Sequence, residues 1–157
     1  MQPSGTLERV SDDAVDLILV RRFDAPIEDV WASITDPART ALWFGPWRGE
    51  RPEIEVQMVF EEGQPWFGAT VSACEAPRLL RLTGGMDLEL RLEGNTTLTF
   101  VHRLGSAADA ESYGPGWEYY LDQLVASRTG APLPAFADYD PAQRAYYRGL
   151  AERPTGR

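Results

Sequence analysis

The chain contains no lysine. All fifteen of its basic residues are arginine, against twenty-four acidic residues, for a formal net charge of −9 over 157 residues. The arginines are scattered, apart from the adjacent Arg21 and Arg22. A polyanion is therefore repelled on average, and no nucleic-acid partner is expected. Cysteine and histidine occur once each, as Cys74 and His102. One cysteine cannot form an internal disulfide, and one cysteine with one histidine is too few for a His/Cys metal centre. No metal and no other cofactor is expected. No apolar run reaches the roughly eighteen residues of a membrane span, so no membrane insertion is expected. The opening "MQPSGTLERVSDDAVD" has no basic start followed by an apolar stretch, so a signal peptide is not expected and a cytoplasmic location is the simplest reading. Gly-rich phosphate loops and serine nucleophile elbows are missing as well; "GPWRG" and "GGM" lack the strand–loop–helix context.

What is present is a pattern of strands and amphipathic helices of the length of one domain. "DLILVRRF", from Asp16 to Phe23, reads as a first strand. Pro26 opens a helix in which Ile27, Val30, Trp31 and Ile34 recur at helical spacing. Asp36 and Pro37 then cap and open a second short helix. Beyond it the period changes to two. Ile54, Val56, Met58 and Phe60 alternate with Glu55 and Gln57; "EEGQP" turns; "WFGATVSACE" and "RLLRLTG" follow. Met86, Leu88, Leu90 and Leu92 alternate with charged residues. After Gly94-Asn95, Leu98, Phe100 and His102 share one face. Strands joined by short turns make an antiparallel meander with one buried face.

"YGPGWEYYLDQLV" follows the meander. Trp117, Tyr120, Leu121, Leu124 and Val125 obey the spacing of an amphipathic helix, with Glu118, Asp122 and Gln123 on the other side. Pro115 is placed at the first helical position, with Gly114 as cap and "SAADAESY" as an earlier, kinked turn; Gly116 is read as a point of close backbone approach. Gly130 ends the helix. The helix and the sheet each have one strong apolar face, so they bury one another. A tail helix over about residues 140–152 is expected to fold back, with Asp140, Pro141 and Gln143 forming its start. Ala142, Ala145, Tyr146, Gly149 and Leu150 form its apolar stripe, and Phe136, Tyr139 and Tyr146 are read as lying over one end of the fold. So short a helix is unstable alone; the domain or a second subunit must hold it, which leaves room for a homodimer.

The segment "RRFDAPIEDVWASITDPARTALWFGP" resembles the entry of the helix-grip (Bet v 1-like, START-related, SRPBCC) superfamily, and more narrowly its AHSA1-like branch, homologous to the activator of Hsp90 ATPase. The pattern is an arginine and an aromatic before Ala25-Pro26, then Val30-Trp31, Thr35-Asp36-Pro37 and Trp43. "CEAPRLLRLTG", "TTLTFVHRL" and "GWEYYLDQL" resemble later pieces of the same branch, so that the likeness covers about residues 15–130, and the tail resembles those of bacterial single-domain members. The stretch after Trp43 is shorter than usual, which makes an early strand short or distorted. The resemblance implies an α+β helix-grip fold: a single domain over 1–157, with a curved antiparallel β-sheet around a long C-terminal α-helix and a cavity between them for a hydrophobic small molecule.

The ligand-binding residues expected on that basis are Trp43, Met58, Phe60, Phe67, Leu88, Phe100, His102, Trp117, Tyr120, Leu121 and Leu124. An aromatic lining with a few polar groups is what small-molecule sites have in common, although the usual fate of such aromatics is plain core. His102 is read first as a hydrogen-bonded core histidine, with ligand contact or proton transfer as the alternative. Cys74 shares strand parity with Trp66, Thr70 and Ser72 and has no activating neighbour in sequence. Glu61, Glu62, Asp87 and Glu89 are read as solvated surface. Binding without a catalytic set is the leading expectation. A cyclase- or aromatase-like enzyme in the same cavity is the alternative, and a chaperone co-factor module is the third.

Overall fold

The computed structural model describes residues 2–58 and 63–153. Its strands are β1 (Thr6–Ser11), β2 (Ala14–Arg22), β3 (Trp47–Glu50), β4 (Glu53–Val56), β5 (Phe67–Glu75), β6 (Leu79–Gly84), β7 (Leu88–Glu93) and β8 (Thr97–Leu104). The helices are α1 (Ile27–Thr35), α2 (Pro37–Thr40), α3 (Ala110–Thr129) and α4 (Arg144–Glu152). The strands form one antiparallel sheet in the order β1-β2-β8-β7-β6-β5-β4-β3. This is the α+β helix-grip fold that the family resemblance implies.

Period-two patterning produces the core directly. Val15, Leu17 and Leu19 of β2, Leu88, Leu90 and Leu92 of β7, and Leu98, Phe100, His102 and Leu104 of β8 are all buried. They align across the ladder: Leu17 pairs with His102 and His102 with Leu88, while Leu19 pairs with Phe100 and Phe100 with Leu90. On the outer face Arg103 pairs with Asp16, and Arg81 and Arg91 reach Asp87 and Glu89. The Asp87 and Glu89 carboxylates therefore sit in surface ion pairs.

Neither edge strand shows a strand pattern in the sequence, although a short or distorted strand after Trp43 is expected. β1 (TLERVS) and β3 (WRGE) are the two edges of the sheet and are largely exposed, so neither has the buried alternation by which a strand is recognised. β3 is the short early strand implied by the shortened stretch after Trp43. β4 ends at Val56. Phe60, Glu61 and Glu62 lie outside the described residues.

α2 begins as its sequence implies, with Asp36 accepting from the Ala38 N–H at 3.0 Å and Pro37 at the first position. α3 begins earlier than expected. Ser106 accepts from the Ala108 N–H to start a single 3₁₀ turn, α3 follows at Ala110, and Pro115 lies inside the helix rather than at its start. Gly130, with φ of 74°, closes the helix. Leu121 and Leu124 are fully buried, and Tyr120 nearly so.

The polar side of α3 is covered as well. Glu118 and Gln123 are each only 1% exposed. The Glu118 carboxylate accepts from the backbone N–H of Ser4 at 2.5 Å and of Gly5 at 3.0 Å, from Arg21 at 2.8 Å and from the Tyr147 hydroxyl. Burial alone would raise this carboxyl, but the hydrogen bonds from Tyr147, Ser4, Arg21 and Gly5 outweigh it and hold the group below the usual carboxylate range. Tyr139 donates to Asp122 at 2.7 Å, and Arg21 also pairs with Asp122. Both chain ends are thus tied to one face of α3.

α4 packs with a rotated face. Tyr147 is fully buried and Gln143 nearly so, whereas Ala142 and Ala145 are exposed. Gln143, not Asp140, stands at the N-cap; Asp140 pairs with Arg144 instead. The close approach occurs at Gly114 rather than Gly116: a Cβ on Gly114 would lie 2.5 Å from the Tyr147 ring, and one on Gly116 would meet nothing within 4 Å.

Candidate functional site

The sheet is gripped unevenly. α3 fills the concave face over β2, β8 and β7, while over β4, β5 and β6 the opposing wall is made by α1, α2 and the Trp43–Gly45 loop. Between them lies a hollow of about 430 Å³. Its floor consists of Ile54 and Val56 of β4, Phe67, Ala69 and Val71 of β5, and Leu80 and Leu82 of β6. Leu88, Leu90 and Phe100 continue that floor toward the core. Trp31, Ile34, Trp43, Phe44 and Trp47 form the opposite wall, and α3 contributes Trp117 alone. Four of the five tryptophans line this one space.

Local chemistry holds the wall in place. The Trp43 indole N–H donates to the Ser33 carbonyl at 2.9 Å, and Gln123 donates to the Trp43 carbonyl at 3.2 Å. The Trp47 indole N–H donates to the Thr35 carbonyl at 2.7 Å. Phe44 lies nearly parallel to Trp117, with centroids 5.7 Å apart, and meets Tyr120 edge-on at 5.0 Å. Gly45 brings the loop against the sheet: a Cβ there would overlap the Gln57 carbonyl. These bonds commit the polar tips of the aromatics to protein partners and turn their ring surfaces toward the hollow.

His102 stands behind the hollow rather than in it. It is 4% exposed, accepts the Trp117 indole N–H on Nδ1 at 3.1 Å, and meets Tyr113 edge-on at 4.6 Å. Burial lowers its pKa to about 4, and Asp87 and Asp109 offset that only in part. The ring is neutral at pH 7 and serves as the acceptor that orients Trp117.

Of the expected binding residues, Trp43, Phe67, Leu88, Phe100 and Trp117 meet at the hollow. His102, Tyr120, Leu121 and Leu124 do not line it. Tyr120, Leu121 and Leu124 belong to the packed core that joins α3 to the sheet. Met58 is half-buried beside that core, and Phe60 lies outside the described residues. The tail is not a cover for the hollow. Tyr139 is buried against α3, Phe136 meets Tyr119, and Tyr146 donates to the Gly5 carbonyl; none of them lines the space.

Sequence reasoning missed Phe44, Trp47, Arg51 and Cys74. Phe44 and Trp47 sit in irregular chain or an edge strand, where periodicity is silent. Cys74 does not keep the strand parity with Trp66, Thr70 and Ser72 that an unbroken strand gives, and it reaches the rim of the hollow as an exposed residue. The β5–β6 register shifts between Val71 and Ala73, so Val71 pairs with Leu82 and Cys74 with Leu80 on the same inward side. The bulge adds one residue and reverses parity beyond it. Arg51, in the β3–β4 turn, donates to the Cys74 sulfur at 3.1 Å. No group of three or more metal-ligating side chains occurs among the described residues, and no helix there is long and apolar enough to cross a membrane.

Comparison with solved structures gives the same architecture. The crystal structure of CalU16 from Micromonospora echinospora matches with a TM-score of 0.76 at 28% identity, covering 98% of this chain and 100% of that one. DynU16, a protein in the dynemicin biosynthetic locus, matches with a TM-score of 0.62 at 25% identity over 80% of this chain and 51% of its own. The AHSA1-like protein from Aeromonas hydrophila, at 16% identity and a TM-score of 0.60 over 76% of this chain and 97% of its own, shares the fold. Comparison with curated protein sequences finds no match. The family model described as Activator of Hsp90 ATPase homolog 1-like protein matches residues 24–127. The chain therefore belongs to the AHSA1-like family, within the SRPBCC superfamily.

Proposed function

We propose that this protein binds a hydrophobic or aromatic small molecule in the hollow between β4–β8 and the α1–α2 wall. The observation that carries the reading is the hollow itself: about 430 Å³, walled by four tryptophans, Phe44, Phe67 and Phe100. That volume is within the range of ordinary ligand pockets. Apolar surface facing an unfilled space gains little from the fold, and covering it with an apolar ligand recovers about 25 cal/mol per Å². The likeness to DynU16, a protein in the dynemicin biosynthetic locus, supports a biosynthetic setting. An acid–base enzyme using His102 is less well supported, because that imidazole is committed to Trp117 and does not line the space.

Thermal-shift titration against fatty acids, polycyclic aromatics and aliphatic alcohols tests the reading, with Ala69→Trp as the control that fills the hollow. Aromatic compounds are expected to raise the melting temperature of the wild type and leave the control unmoved. Absence of a shift with every class would overturn the proposal, as would equal shifts in the control.

A further inference from the structure

We infer that Arg51 makes the hollow selective for ligands with an acidic group at one end of an aromatic body. This rests on the reading of the hollow as a binding site. Among the described residues that line it, Arg51 is the one charged side chain. Among the described residues no carboxylate lies within ion-pairing distance of its guanidinium, whose contact is the Cys74 sulfur, a weak acceptor. Arg48, three residues earlier, shows the contrast: it pairs with Glu55 at 2.9 Å and stacks over Trp66.

The backbone that carries Arg51 is held in place, and its exposed side chain reaches Cys74 at the rim. Its turn is pinned to β5 by the Val71 N–H, which donates to the Pro52 carbonyl at 2.7 Å, and the β5 bulge brings Cys74 beneath it. Other polar groups of the wall are engaged. Thr35 and Thr40 donate to the Trp31 and Pro37 carbonyls, and the Trp43, Trp47 and Trp117 indoles have partners of their own. A guanidinium beside such an apolar wall offers a planar fork of donors to a carboxylate, sulfonate or phenolate. A net charge of −9 repels anions in general, so any preference for them must come from this one position.

The test uses a matched pair of fluorescent probes: anilinonaphthalene sulfonate and phenylnaphthylamine, its parent without the sulfonate. Both are titrated against wild type, Arg51→Gln and Arg51→Lys, while the rate of Cys74 alkylation reports whether the hollow is occupied. Arg51→Gln is expected to weaken the sulfonate about tenfold, the loss of one exposed charge-assisted hydrogen bond. The uncharged probe should bind both proteins alike, and Arg51→Lys should recover part of the loss. Equal effects on the two probes, or none on either, would overturn the acid preference; protection of Cys74 by phenylnaphthylamine would then leave the binding site itself standing. Failure of both probes to bind the wild type or to protect Cys74 would overturn the two proposals together.

Discussion

One hydrogen bond, from the Trp117 indole to His102, ties the pH response of the fold to the wall of the hollow. His102 must stay neutral to accept that proton, since an imidazolium turns an N–H toward an N–H. The folded pKa of about 4 lies below the ordinary 6.5. The unfolded chain therefore binds more protons than the folded one between those values, and the His102 contribution, fully present above pH 6.5, is lost as the pH falls to about 4. The amount is about 3 kcal/mol. Urea midpoints measured at several pH values for wild type and His102→Gln check this: the difference between the two proteins should shrink steadily on acidification. Trp117→Ala removes the other partner. The ring is 5% exposed and touches Phe44, Phe100 and Tyr120, so its loss is expected to destabilise by about 3–5 kcal/mol. A denaturant midpoint near that of wild type would show that the ring is not structural.

At the scale of elements, two glycines two residues apart in α3 have opposite roles. Gly114 gives Tyr147 its seat, so Gly114→Ala must push the ring, and α4 with it, off the helix. Gly116 meets nothing, and Gly116→Ala gains the helix preference of alanine, a stabilisation of up to about 1 kcal/mol. Melting temperatures that fall for the first variant and rise slightly for the second are the expected outcome; equal effects would mean that α4 does not rest on Gly114. The same distinction explains the misreading of α3. Its spacing shows which face meets the sheet and sets Glu118 and Asp122 on the other side, but Gly114 reads as a cap, and only the fold shows the chain ends lying over that side. Likewise β5 has a regular strand pattern on either side of its bulge, and nothing in "ATVSACE" marks the point at which parity reverses.

For the whole molecule, the two chain ends act together. Ser4, Gly5, Arg21 and Tyr147 converge on Glu118, while Tyr139 and Arg21 converge on Asp122. Deleting residues from Pro134 onward removes two fully buried tyrosines and leaves Glu118 short of a donor. Burial of each ring is worth about 1.5–3 kcal/mol, offset in part by the freedom the tail regains, so the melting temperature should fall by about 10 °C. Because the tail lies away from the hollow, the truncated protein at low temperature should still bind phenylnaphthylamine with near wild-type affinity. Calorimetry together with that titration checks both halves, and loss of binding in a folded truncation would place the tail at the site after all.

The sequence by itself determined the order of the elements other than the two edge strands, the inward face of β2, β7 and β8, the cap of α2 and the family pattern, because each is a local or periodic consequence of side-chain chemistry. It also pointed to four of the seven aromatics that line the hollow, since Trp43, Phe67, Phe100 and Trp117 stand out by type and parity. Only the tertiary structure decided which aromatics are core and which face open space, because filled and hollow interiors select the same apolar residues. It alone brought Arg51 to Cys74, across a turn and a bulge, and joined both chain ends at Glu118. Those contacts depend on where distant segments meet, and no spacing along one segment encodes the position of another.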